Sequence, residues 1–121
     1  MADTSNANEL GPASAQLLDY WVKSVAGFAH DTVTGRNPTD RTVHDLIAVL
    51  YARNELVGDL RADDRSRLQQ ADALYESVTI ADPRSLGELV GDVSASTNHW
   101  WFRRVPKSGA IREEIDKIRA G

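Results

Sequence analysis

Val78-Thr79-Ile80 is the stretch on which the fold class turns. Three β-branched residues in a row favour extended backbone, because their branched Cβ crowds the preceding helical turn. They come directly after a helical pattern, and no second strand stands out elsewhere to pair with them. A lone strand leaves its backbone donors and acceptors unsatisfied. The run therefore reads as the fraying end of a helix. On that reading the chain has no strand, and the expected class is all-α: a single-domain antiparallel helical bundle of four main helices plus a short C-terminal helix.

Upstream of this stretch the apolar residues recur at helical spacing. Leu68, Ala71, Leu74, Tyr75 and Val78 make the core side of a third helix, with Asp63 or Asp64 as its cap. Val43, Leu46, Ile47, Leu50, Val57 and Leu60 make the stripe of a second. Asn37 or Thr39 suits its cap, and Pro38 or Asp40 its first turn. Arg53-Asn54-Glu55 interrupts the stripe, which predicts a bend or a buried polar pair, and Gly58 weakens the last turns. Leu17, Leu18, Trp21, Val22, Val25, Phe28 and Ala29 give the first helix one broad apolar face. It starts at Pro12 and stops near Val33, before the turn chemistry of Thr34-Gly35-Arg36-Asn37-Pro38. Residues 1–11 are polar and hold one leucine, so they read as a flexible arm ahead of a domain spanning 12–121.

Downstream, Asp82-Pro83 reads as a cap and first helical residue, and Ser85-x-x-Glu88 has capping-box spacing. Leu86, Leu89, Val90 and Val93 form a fourth apolar stripe beside the small residues Gly87, Gly91 and Ser94. The run Ser94-Ala95-Ser96-Thr97-Asn98 predicts a kink or restart before Trp100, and Pro106 a stop. Ser108 can cap a last, charged helix whose apolar stripe is narrow: Ile111, Ile115 and Ile118. So short a helix needs something to dock on.

Composition narrows the function classes. With 41% hydrophobic and 26% charged residues in 121, the chain has enough apolar side chains for one core without staples. It has no cysteine, which excludes disulfides, thiolate metal sites and a cysteine nucleophile. The polar N-terminus lacks an apolar signal core, and no apolar run approaches the length of a membrane span. The cytoplasm is the expected location. Residues 1–97 carry 8 Lys and Arg against 15 Asp and Glu, a balance of −7. Residues 98–121 carry 6 against 3, a balance of +3. A basic end on an acidic body suits an acidic partner surface better than a broad DNA-coating face.

That basic end opens with His99-Trp100-Trp101-Phe102-Arg103-Arg104-Val105-Pro106. Exposed rings beside guanidinium groups recognise carboxylates, phosphates or bases, and Trp and Arg dominate interface hot spots. The bland alternative is that the rings complete the core while the arginines pair with neighbours. The leading expectation is a non-enzymatic adaptor, inhibitor or accessory module. It would bind a protein partner, or its own copy, through Trp100, Trp101, Arg103, Arg104, Lys107 and Ile115. Nucleic-acid binding over Trp100–Lys107 is another possibility, the last of three. The runner-up is a metal or small-ligand site built from His30, His44 and His99, two of which precede an aspartate around one turn. The histidines lack the spacing of a metal motif, and His30 near a helix C-terminus has an ordinary explanation in the helix dipole. The acidic i, i+4 pairs Glu55/Asp59 and Glu88/Asp92 read as solvated faces rather than cation ligands. No phosphate loop, dinucleotide fingerprint or nucleophile elbow is present, and no cofactor is expected.

Overall fold

The structure is a computed structural model that describes residues 12–35, 41–56 and 60–121. It is mostly helical, with a small two-stranded sheet. Helix α1 spans Pro12–Thr34 and buries Leu18, Trp21, Val25, Phe28 and Ala29. These are the positions its 3.6-residue period brings to one side. Gly35, at φ 71°, ends it in the left-handed region that glycine enters without strain, and its N–H donates to the Asp31 carbonyl at 2.9 Å.

Helix α2 spans Val43–Asn54. It starts later than the sequence pattern suggests, and its cap is Thr42. The Thr42 hydroxyl accepts from the Asp45 N–H at 3.3 Å, and the Asp45 carboxylate accepts from the Thr42 N–H at 2.8 Å. The alternative caps Asn37 and Thr39, the arm 1–11, and Val57, Gly58 and Asp59 lie outside the described residues. Because α2 buries Val43, Leu46, Ile47, Val49, Leu50, Ala52 and Arg53, it is covered on more than one side.

Helix α3, Ala62–Ser77, packs against α1 and buries only Leu68, Ala71 and Tyr75. Its N-cap position is Arg61, without a side-chain cap bond. Asp63 and Asp64, expected as caps, lie instead in the first turn, where a negative charge meets the helix dipole.

The expected frayed helix end is a strand. Strand β1, Thr79–Ala81, pairs antiparallel with β2, Arg104–Pro106, in the register Thr79↔Pro106, Ile80↔Val105, Ala81↔Arg104. The partner strand comes from the tail of the aromatic-basic stretch. By local pattern alone, that tail ends a helix at Pro106. In the fold it lies beside β1, and there the β-branched residues find the ladder they favour.

The expected fourth helix is likewise absent. Residues Leu86–Val90 form a short 3-10 helix, followed by two 3-10 turns, Ala95–Thr97 and Trp100–Phe102. Gly87 permits the tight return that replaces the expected helix. A Cβ there would lie 2.6 Å from the Asp92 carbonyl oxygen and from Thr97 Cβ, where the chain folds back on itself instead of continuing as a helix. The buried Ser85 hydroxyl accepts from the Gly87 N–H at 3.0 Å and donates to the Thr97 carbonyl at 2.6 Å, pinning that return. Asp82 does not cap a helix; its carboxylate closes a tight turn by accepting from the Arg84 N–H at 2.9 Å.

Helix α4, Ala110–Ala120, docks Ile111 and Ile115 into the core and leaves Ile118 half-exposed. Gly109, not Ser108, stands at its N-cap, at φ 100°. The core is one cluster running from Leu18 to Ile115, with Trp21 at 0% exposure among its largest side chains. No described helix is long and apolar enough to cross a membrane.

Candidate functional site

The aromatic-basic stretch divides into residues that the core consumes and residues that it leaves outside. Trp101 is consumed. It is 8% exposed, its indole N–H donates to Asn54 Oδ1 at 2.7 Å, and its carbonyl accepts from the buried Tyr75 hydroxyl at 2.8 Å. The Arg53 guanidinium lies 4.2 Å from the Trp101 ring centroid and 5.9 Å from that of Trp21. Asp72 holds Arg53 with two bonds, at 3.1 and 2.9 Å, and also accepts from the Trp21 indole N–H at 3.1 Å. The polar pair predicted at Arg53 therefore exists, with Arg53 buried and Asp72 partly buried beside it. Its partner on α3 was not apparent, because no local pattern links residues 19 positions apart. Burial pushes the Tyr75 phenol well above its usual range, with Arg104 pulling weakly the other way.

Arg104 is also consumed. Its Nε donates to Thr79 Oγ1 at 2.7 Å, and its Nη2 to the carbonyls of Thr79 and Glu76 at 3.0 and 3.3 Å. It thereby ties the sheet to the end of α3. Ile115, expected in a docking stripe, is fully buried and faces the core rather than a partner. Lys107 is exposed, but it sits beyond the far end of β2, where its N–H donates to the Val78 carbonyl at 3.0 Å. Three residue steps along the strand separate it from Arg104, about 10 Å.

Trp100 and Arg103 remain at the surface. Trp100 is 38% exposed, set edge-on to Trp101 at 5.6 Å and tilted against Tyr75 at 6.1 Å, so one side of its ring is anchored and the other is open. Arg103 is exposed, with one bond, from Nη2 to the Pro83 carbonyl at 3.2 Å. Both line an open groove of about 490 Å³ with Ala81, Asp82, Pro83, Asn98 and Arg104. The Asp82 carboxylate is used internally: besides the Arg84 N–H, it accepts from Arg119 Nη1 at 2.6 Å. Arg119 in turn keeps Nε and Nη2 buried without a partner, so this ion pair is its compensation among the described residues. The charge that the groove turns to solvent is therefore positive. Ala81 to Pro83 escaped sequence reasoning because Asp82-Pro83 carries a helix-start signature; only the pairing of β1 with β2 brings it beside Trp100.

The three histidines are not brought together. His30 is exposed at the end of α1, its Nδ1 3.7 Å from Asp31 Oδ1. His44 is exposed in the first turn of α2. His99 stacks on Trp101 at 4.5 Å with the rings 10° apart, and Trp101 is bonded to Asn54, at the opposite end of α2. Ten residues of helix separate His44 from Asn54, about 15 Å. No described group of three or more His, Asp or Glu is arranged to hold a metal ion. Of the acidic pairs, Asp92 accepts from the Tyr51 hydroxyl and from the Ser94 N–H at 2.9 Å. Bonds from Ser94 and Tyr51 hold its carboxyl below the usual range.

No protein-family model matches the chain, and neither does any curated protein or solved structure.

Proposed function

We propose that this protein is a small non-enzymatic interaction module that docks a protein partner through the groove between β1 and the turn carrying Trp100. One observation carries the reading: a half-exposed tryptophan braced from beneath by Tyr75 and Trp101 shares a groove with the solvent-facing Arg103. A braced ring loses little entropy on binding, and Trp with Arg is the pairing that dominates interface hot spots. An acidic partner surface fits, since the groove's carboxylate is already neutralised from within by Arg119.

The same reading takes α1, α2 and α3 as an antiparallel bundle that serves as a rigid scaffold. Self-association through the C-terminal isoleucines has less support, because Ile111 and Ile115 are spent on the core. Nucleic-acid binding has less as well: Arg104 is spent on backbone carbonyls and Lys107 stands apart from the groove.

The test uses Trp100→Ala and Arg103→Glu, each shown by circular dichroism to keep the parent's fold. Each variant is expected to bind the partner isolated with the parent protein at least about tenfold more weakly, the loss of one hot-spot residue. Retention of that partner at full affinity by both variants overturns the reading.

A further inference from the structure

Strand β1 has two edges. The N–H of Asp82 donates to the Arg103 carbonyl at 2.9 Å, and the N–H of Lys107 to the Val78 carbonyl at 3.0 Å. These place hydrogen-bonded pairs at 82/103 and 78/107, and the antiparallel alternation puts the third at 80/105. The backbone groups of Thr79 and Ala81 therefore point away from β2. The Thr79 carbonyl accepts from Arg104 Nη2. The N–H and C=O of Ala81 have no partner among the described residues, and Ala81 is exposed and lines the groove with Trp100 and Arg103.

The outer edge of β2 is closed at Pro106 and leaves only the backbone groups of Arg104 facing outward. Pro106 has no N–H, and its carbonyl accepts from Arg112 Nη1 at 3.1 Å. Of the two outward-facing residues left, Ala81 is exposed and Arg104 only partly so, which makes β1 the more open edge. Short edges are common in proteins and by themselves say nothing of a ligand. Here one residue offers a donor and an acceptor at the wall of a groove that also offers an aromatic face and a cation. Those are the components of strand addition, in which main-chain bonds give affinity and alternate side chains give specificity.

The geometry points to an extended acidic peptide segment of the partner as the occupant, added as a third strand on the outer edge of β1. Its backbone pairs with Ala81, an apolar side chain rests on Trp100, and a carboxylate meets Arg103. Pro83, the next residue whose N–H would face outward, has none, so the added strand is short. This inference rests on the groove being the docking site.

The probe is fluorescein-Gly-Glu-Val-Glu-Val-Glu-amide, labelled at its N-terminus and read by anisotropy against the parent protein, with the Lys-for-Glu peptide as control. Binding of the acidic peptide only, weakening as salt is added, is expected. Methylating alternate peptide nitrogens discriminates strand pairing from side-chain docking. One alternate set is expected to weaken binding about tenfold and the other to leave it unchanged, since only one set faces β1. Ala81→Pro removes the edge N–H without touching a ladder bond and is expected to weaken binding similarly; if it fails to fold, the methylated peptides decide. If both methylated sets bind like the parent peptide while Trp100→Ala abolishes binding, strand addition is overturned and the groove reading stands. If Trp100→Ala and Arg103→Glu leave the acidic peptide bound at full affinity, the peptide sits outside the groove and the strand-addition proposal is overturned. No binding of the acidic peptide at millimolar concentration overturns the strand-addition proposal, whereas the groove is judged separately on the isolated partner.

Discussion

Arg53 shows at the residue scale how a charge is kept inside this core. It is 8% exposed, held by two bonds to Asp72 and flanked by two indole rings. Removing one partner of such a pair leaves an uncompensated buried charge, which typically costs about 3–5 kcal/mol. Asp72→Ala is expected to lose stability in that range by urea denaturation, and also strands the Trp21 N–H. The double change Arg53→Met with Asp72→Leu is expected to recover most of it, because no charge is left buried. A loss under about 1 kcal/mol for Asp72→Ala places the pair outside the core and contradicts this account. Tyr75 gives a second expectation. Burial holds its phenol neutral, whereas in the unfolded chain it ionises near pH 10. Its folded pKa is raised, so its contribution is full below pH ~10 and is lost as pH climbs toward the folded value. Tyr75→Phe leaves the Trp101 carbonyl without its donor and is expected to cost about 1–3 kcal/mol at neutral pH. Its urea midpoint is expected to fall less than the parent's between pH 7 and 11, and an equal fall in both removes Tyr75 as the cause.

At the scale of elements, two glycines shape the chain beyond β1. Gly87 faces the Asp92 carbonyl and Thr97 with no room for a Cβ, while Gly91 has open space but a φ of 74°. Gly87→Ala must move backbone, so it is expected to destabilise by about 1–3 kcal/mol or more, as overpacking does. Gly91→Ala meets only the left-handed penalty, about 1–2 kcal/mol. Thermal melts of the two, run side by side, check the order; a Gly87→Ala protein that melts with the parent shows that the return of the chain is loose. These glycines also explain why the fourth helix misled. Leu86, Leu89, Val90 and Val93 do sit at helical spacing, but spacing records which faces a helix would have, not whether a helix fits. Helices α1, α3 and α4 were apparent within a few residues because each carries an unbroken stripe with breakers at its ends.

For the whole molecule, α4 is the clasp. Glu114 accepts from the Val43 N–H at 2.8 Å at the start of α2, Arg119 pairs with Asp82 beyond β1, and Arg112 bonds Pro106 in β2. The last helix thus joins three parts of the chain that are far apart in sequence. Ile115→Asp places a carboxylate at a fully buried position and is expected to cost more than about 4 kcal/mol, among the largest single-residue effects. A lost or strongly lowered thermal transition by circular dichroism is the expected result. A variant that melts like the parent and loses only its partner returns Ile115 to the docking surface. Glu114→Ala is expected to cost about 0.5–2 kcal/mol by the same measurement, as loss of an N-terminal cap does.

The sequence by itself determined the helical character, the extent of α1, an interruption at Arg53 that was either a bend or a buried polar pair, and the place of interest at residues 99–106. All of these come from periodicity and residue chemistry over a single turn or two. Only the tertiary structure decided that Val78-Thr79-Ile80 leads into a strand, because its partner lies some 25 residues away and an isolated three-residue strand has no stability of its own. Tertiary packing alone also sorted the aromatic-basic stretch. Trp101 met Asn54 and Arg104 met the end of α3, while Trp100 rests on Tyr75 with one side of its ring open and Arg103 stays exposed. Neighbouring residues of the same type differ in fate because burial depends on what the rest of the chain brings alongside, and adjacent positions on a tight turn face different ways.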